Sequence, residues 1–96
     1  MTTTEIVQTK RDEILRIAER HGARDVRVFG SVARGEASEN SDIDLLVSAS
    51  EATSPWFPAA LVAALERFLA RKVDVVTEDG LYWLLRRRIL QEARPL

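Results

Sequence analysis

Two short clusters in this chain hold residue types that can do chemistry together. One is Gly30-Ser31, directly after the β-prone run Val26-Arg27-Val28-Phe29, and the other is Asp42-Ile43-Asp44, opening the apolar run Leu45-Leu46-Val47. Gly30 has no Cβ, so its backbone can approach a ligand closely. Ser31 adds a hydroxyl and begins an expected helical turn whose free N–H groups attract anions. Arg34 falls one turn later, within reach of the same anion. Asp42 and Asp44 stand at i and i+2 of an expected strand, which puts them on one face, with Cα atoms roughly 6–7 Å apart. Carboxylates that close raise each other's cost of ionising, and a cation between them removes that cost. Mg²⁺ takes one or two protein carboxylates and completes its shell with water and substrate phosphates. The first cluster therefore suits phosphate and the second a divalent metal, a pairing that fits work on a nucleoside triphosphate.

A third acid, Asp74, lies thirty residues beyond Asp44 inside the apolar stretch Val73-Asp74-Val75-Val76. An acid there needs a reason, because an unpaired buried charge is costly. Thirty residues is about one βαβ unit. If the strands holding Asp44 and Asp74 are neighbours, three carboxylates share one sheet face. Such a set can hold two metals roughly 4 Å apart, the arrangement that clamps the attacking and leaving oxygens of a phosphoryl transfer. Each signal has a plainer reading when taken alone: a solvated strand edge for Asp-x-Asp, a turn for Gly-Ser, a surface acid for Asp74. An EF-hand loop is disfavoured, since Leu45-Leu46-Val47 fills positions that should carry oxygen ligands.

The elements that must position these residues follow from the rest of the pattern. Thr2 and Glu5 have capping-box spacing, and Ile6, Ile14, Ile17, Ala18 and His21 recur at near-helical intervals, so one helix is expected over residues 3–21, closed at Gly22. Strands are expected at 26–29, 42–47 and 72–77. A helical turn is expected near Val32-Ala33-Arg34, and a loop over 48–55. Pro58 opens a helix over 59–71 with Leu61, Leu65, Phe68 and Leu69 on one face. Glu78-Asp79-Gly80 is an expected turn, and a last helix runs over 81–93 until Pro95 ends it. The order α-β-β-α-β-α describes a small α/β (α+β) fold. Its βαβ unit favours a parallel strand pair with a right-handed crossover. Trp56, Phe57, Tyr82 and Trp83 are expected in the core, with Trp56-Phe57 a second candidate for a partner contact. His21 suits a helix C-terminus. Arg86-Arg87-Arg88 is expected as a solvated face, and Glu36 and Glu39 as solvated loop acids.

Bulk composition narrows the functions available. The 96 residues, 46% hydrophobic and 30% charged, suit one soluble domain over residues 1–96 with no separate acceptor-binding domain. Fourteen basic and fifteen acidic side chains nearly cancel, giving a net charge of −1. That balance argues against sequence-independent binding to long nucleic acid. The chain has no cysteine and one histidine, which excludes disulfides, thiolate zinc sites, cysteine nucleophiles and multi-histidine metal sites. The N-terminus lacks a signal-peptide pattern and no apolar run reaches membrane-spanning length, so a cytoplasmic protein is expected, with no membrane contact.

The motif Gly30-Ser31, ten residues, then Asp42-Ile43-Asp44 resembles that of the minimal nucleotidyltransferases of the DNA polymerase beta superfamily. The flanking Ala33-Arg34-Gly35, the acid in Val73-Asp74-Val75 and the tail Arg88-Ile89-Leu90-Gln91-Glu92-Ala93-Arg94-Pro95-Leu96 look like the family too. The resemblance covers essentially the whole chain. It implies a nucleotidyltransferase fold, a mixed three-stranded sheet with helices packed on it, and transfer of a nucleoside monophosphate from a triphosphate with release of pyrophosphate. Small members often pair with a HEPN-domain protein as a toxin–antitoxin system. In some pairs the nucleotidyltransferase is the antitoxin and attaches AMP to a tyrosine of the HEPN ribonuclease. Carried over to this chain, Asp42, Asp44 and Asp74 are the expected catalytic residues and ligands of two Mg²⁺ ions. Gly30, Ser31 and Arg34 are expected to hold the phosphates of ATP, a choice of base that comes from the family alone. The expected protein is an antitoxin that transfers AMP to a hydroxyl of a HEPN toxin, working in a hetero-oligomer. Two other readings stand beside it: neutralisation of the toxin by binding alone, and transfer to a small molecule such as an aminoglycoside. The complete acid set counts against the first, and the absence of an acceptor domain against the second.

Overall fold

In the computed structural model, which describes residues 1–51 and 53–96, five α-helices pack with one four-stranded sheet. Helix α1 (Thr3–Thr9) opens on the expected capping box: the Thr2 hydroxyl accepts from Glu5 N–H and the Glu5 carboxylate accepts from Thr2 N–H. The single helix expected over 3–21 is two helices, because Lys10 leaves helical geometry (ψ 15°) before α2 (Arg11–Arg20) begins. The two halves serve different partners. Thr3, fully buried, ties α1 to the loop before Asp42 by hydrogen bonds of 2.9 Å from its hydroxyl to the Ser38 and Ser41 carbonyls. Helix α2 instead buries Ile14, Ile17 and Ala18 in the core, and His21 caps it as expected.

Strand β1 (Ala23–Phe29) is longer than the expected 26–29 and slips register between Arg24 and Arg27, where Asp25 takes a φ of 52°. It runs straight into α3 (Gly30–Arg34), the expected helical turn. Strand β2 (Ile43–Ala49) begins one residue after Asp42, so Asp42 sits at its threshold and Asp44 within it. The expected loop over 48–55 therefore starts two residues later, and its residue 52 lies outside those described. Helix α4 (Ala59–Leu69) stops short of the expected Arg71 because Ala70 turns left-handed (φ 53°). Strand β3 (Val73–Thr77) follows, then a short 3₁₀ turn at Glu78–Gly80, α5 (Trp83–Glu92) and β4 (Arg94–Pro95).

The sheet order is β3-β2-β1-β4. Strands β2 and β3 are parallel, as the helical crossover through α4 requires, and β1 is antiparallel to both β2 and β4. The expected count of three strands is thus one too few. Strand β4 is two residues long and contains a proline, so nothing in its periodicity could announce it. One face of β2 presents Ile43, Leu45 and Val47, each at most 1% exposed, to the core shared with Ile14 of α2 and Leu61, Leu65 and Leu69 of α4. Asp44, between them in sequence, points to the other face.

Several expected core residues lie elsewhere. Phe68 sits at the rim, with the Lys10 ammonium 4.9 Å from its ring centroid. Trp56, Tyr82 and Trp83 are exposed, while Phe57 alone of the four aromatics packs against the core. The reason is local: Trp56 precedes α4, and Tyr82 and Trp83 open α5, a helix with no buried residue. Among the described residues no helix is long and apolar enough to cross a membrane.

Candidate active site

A cleft of about 430 Å³ opens where the C-terminal ends of β1 and α5 approach the start of β2. Its lining includes Gly30, Ser31, Arg34, Asp42, Asp44 and, from α5, Arg88 and Glu92. Five of the six residues singled out from sequence for catalysis or phosphate binding thus line one space. The sixth, Asp74, is placed beside it by register: Asp44 and Asp74 are direct partners on the parallel strands β2 and β3. Side chains at paired positions of neighbouring strands share a face. The thirty-residue separation in sequence becomes one inter-strand step.

The electrostatics follow from this crowding. Partial burial, then the Asp74 and Asp42 carboxylates, raise the Asp44 carboxyl above the ordinary aspartate range, with Arg34 opposing. Asp42 is half exposed and lies 4.0 Å from the Lys72 ammonium, a contact long enough to contribute little. The acids near Asp44 are therefore under-compensated by protein cations. Hard carboxylate oxygens with unbalanced negative charge suit Mg²⁺. Among the described residues no three Asp, Glu, His or Cys side chains stand close enough to hold one ion jointly. That is compatible with Mg²⁺, which needs one or two protein carboxylates when phosphates and water complete its shell.

Gly30 shows why its position admits no side chain. Its φ is 68°, and a Cβ there would overlap Asp44 Oδ2 and come within 3.2 Å of Asp44 Cγ. The absence of a Cβ is what lets the turn and the carboxylate share this corner. Arg34, in the last turn of α3, donates from Nη1 to Glu92 Oε1 at 2.8 Å and from Nε to Glu36 Oε2 at 3.2 Å. Those hydrogen bonds, Glu92 first and Glu36 second, hold its guanidinium further into the protonated form.

Sequence reasoning missed three contributors. Glu92 accepts from Gly30 N–H at 2.9 Å as well as from Arg34. Burial raises its carboxyl, but the bonds from Arg34 and Gly30 N–H outweigh that and leave it lowered. Arg88, set aside with Arg86 and Arg87 as a solvated face, lines the cleft, whereas Arg86 donates to the Glu78 carbonyl at 2.8 Å. Thr3 holds the 38–41 loop that delivers Asp42. The contacts of Glu92 and Thr3 span tens of residues, so no local spacing signals them. Arg88 did carry a signal: Leu85, Arg88, Ile89 and Glu92 recur at helical spacing, and all four line the cleft.

Comparison with known proteins agrees with this fold. The family model described as nucleotidyltransferase domain matches residues 11–96. Protein adenylyltransferase MntA of Thermococcus cleftensis is 40% identical over 76 residues, covering 79% of this chain and 77% of that protein. A solved structure described as a putative minimal nucleotidyltransferase superposes with a TM-score of 0.84 at 49% identity, covering 97% of this chain and 95% of its own. A chain from the complex of a tri-AMPylated Shewanella oneidensis HEPN toxin with MNT antitoxin superposes with a TM-score of 0.69, covering 92% of this chain and 69% of its own. Its 19% identity makes that likeness one of fold. With the family model spanning residues 11–96 and a relative at 49% identity over nearly the whole fold, this chain belongs to the nucleotidyltransferase domain family as a minimal nucleotidyltransferase.

Proposed function

We propose that the protein is an antitoxin that transfers AMP from ATP to a hydroxyl, a tyrosine by preference, of a partner HEPN ribonuclease, releasing pyrophosphate. The observation that carries the reading is the register of Asp44 against Asp74 in the same cleft corner as Gly30 and Ser31. The choice of adenylate and of a HEPN acceptor rests on the relatives: one is named a protein adenylyltransferase, and another comes from a complex with an AMPylated HEPN toxin.

In this reading Asp42 and Asp44 would hold Mg²⁺, and Asp74 would complete the set for a second ion. When bound there, Mg²⁺ neutralises charge on the phosphates and makes the acceptor hydroxyl more acidic. The chain's own groups do the rest. Ser31, the backbone of Gly30-Ser31 and the Arg34 guanidinium hold the β- and γ-phosphates, the part that leaves as pyrophosphate. The sheet keeps Asp44 and Asp74 in fixed relation to that cradle, with Asp42 at the threshold of β2, so that the α-phosphorus faces an incoming hydroxyl in line. Positioning and charge stabilisation are the main tasks a protein has in such a transfer.

The acceptor must come from another molecule in this reading. The exposed row Tyr82-Trp83-Leu84-Leu85 along the start of α5 suits contact with it. The same row also suits the second reading, neutralisation by occlusion without transfer. A pyrophosphate-release assay with the HEPN partner, Mg²⁺ and each nucleoside triphosphate in turn separates the two. Release that requires both the partner and ATP supports transfer. Toxin silenced in the absence of any triphosphate supports occlusion.

A further inference from the structure

Glu92 lies in the cleft, yet the chemistry above gives it no task. It is the last residue of α5, and its side chain is only 15% exposed. Its two oxygens reach both ends of α3. Oε2 accepts from Gly30 N–H at 2.9 Å, and Oε1 accepts from Arg34 Nη1 at 2.8 Å. Arg34 is held a second time, through Nε, by Glu36. Neither bond uses Nη2, so part of the guanidinium fork still has donors to offer a ligand. A free arginine side chain carries about 2 kcal/mol of rotamer entropy, and a side chain fixed beforehand loses less on binding. Glu92 also fixes the backbone amide of the glycine whose left-handed turn leaves room for Asp44.

We propose that Glu92 is a positioning residue for the triphosphate: it sets the Gly30 backbone and the Arg34 guanidinium in the arrangement that receives the phosphates. The inference rests on the nucleotide-transfer reading. It does not make Glu92 a catalytic residue, since Glu92 acts through Arg34 and Gly30. The opposite role is a sharp alternative. A carboxylate on these donors can instead compete with phosphate for them, and the two roles predict opposite signs.

The test is a titration of the full chain with α,β-methylene ATP and Mg²⁺, an analogue whose α-phosphoryl group cannot be transferred. Wild type, Glu92→Gln, Arg34→Ala and the double variant are compared, with thermal melts to confirm folding. The expected result is binding weakened about tenfold by Glu92→Gln, the scale of one charge-assisted hydrogen bond. In the Arg34→Ala background the same change costs much less, because most of its effect runs through Arg34. Unchanged or tighter binding by Glu92→Gln overturns the proposal, tighter binding meaning that Glu92 competes with phosphate. Losses that simply add in the double variant overturn it as well. If Glu92→Gln does not fold, Glu92→Asp takes its place with the same expectations, since it keeps the charge and shortens the reach. Wild type that fails to bind the analogue at all sinks the transfer reading and this inference with it. Wild type that binds while Glu92→Gln binds equally well sinks the positioning role alone.

Discussion

The two walls of the cleft are built in opposite ways. The sheet wall carries its acids on strands whose neighbours are among the most buried residues of the molecule: Ile43, Leu45 and Val73 are each at most 2% exposed. The α5 wall has no buried residue. It is held by contacts at its two ends. The start is fixed through Glu78, which pairs with Arg27 of β1 at 3.0 Å, and the finish through Glu92 and the pairing of β4 with β1. A wall set in a packed core keeps charged groups at fixed separation, which two-carboxylate chemistry needs. A helix pinned at its ends can instead present one face to the cleft and another to a partner. The outward residues Tyr82, Trp83 and Leu84 lie 57–73% exposed, while Leu85, Arg88, Ile89 and Glu92 line the cleft. On the proposed reading, the sheet wall activates the nucleotide and the α5 wall joins the nucleotide to its acceptor.

That contrast breaks most visibly at Asp44. Asp44→Asn is expected to lower transfer by about a thousandfold, the scale of a lost metal clamp, in a rate assay with the HEPN partner. The same change is expected to raise the melting temperature. An acid raised in the folded state binds its proton more tightly folded than unfolded. Stability therefore falls as pH rises from the ordinary value of 3.8 through the raised one. Above that window the ionised carboxylate is a net cost to the fold, and asparagine removes it. A melt at pH 7 without divalent ions checks this, and a lower melting temperature for Asp44→Asn contradicts the assignment.

Gly30→Ala tests the corner between the walls. The added Cβ meets the Asp44 carboxylate at a φ of 68°, so the variant is expected to lose about 1–3 kcal/mol by denaturant melt. A neutral effect there means that the corner relaxes. Asp74→Asn is milder, because Asp74 lies beside the pocket while Asp42 and Asp44 line it. Its expected cost is a tenfold to hundredfold drop in rate, roughly 1.4–2.7 kcal/mol of barrier, with stability little changed. The smallest effect on the fold belongs to the outer face of α5. Trp83→Ser with Leu84→Ser is expected to move stability by no more than about 0.5 kcal/mol. Its consequence is weaker binding of the HEPN partner, read by titration. Equal affinity for that double variant removes α5 from the interface.

How far sequence reaches follows the same division. The strand-borne acids, the Gly-Ser turn and the parallel crossover were all legible, because strand periodicity and the length of a βαβ unit are local rules. The three-acid pattern was readable for the same reason: Asp44 and Asp74 sit at equivalent positions on strands joined by one helix. The α5 wall was not. Its hydrophobic residues suggested core packing for Tyr82 and Trp83, since a sequence pattern cannot tell a face awaiting a partner from one buried in its own fold. Glu92 reaches Gly30 across 62 positions, a pairing set only once β4 docks on β1. The break at Lys10 escaped as well, because α1 turns to meet a loop 35 residues away.

On the proposed reading, the acids at the start of β2 drive nucleotide transfer to the partner. The most direct measurement is the intact mass of the HEPN partner after incubation with ATP and Mg²⁺, using either wild type or the Asp42→Asn, Asp44→Asn double variant. AMP-sized gains are expected on the partner with wild type and none with the double variant, which still melts cooperatively. AMP on the partner in the presence of the double variant, or a toxin silenced by wild type with no gain in mass, contradicts it.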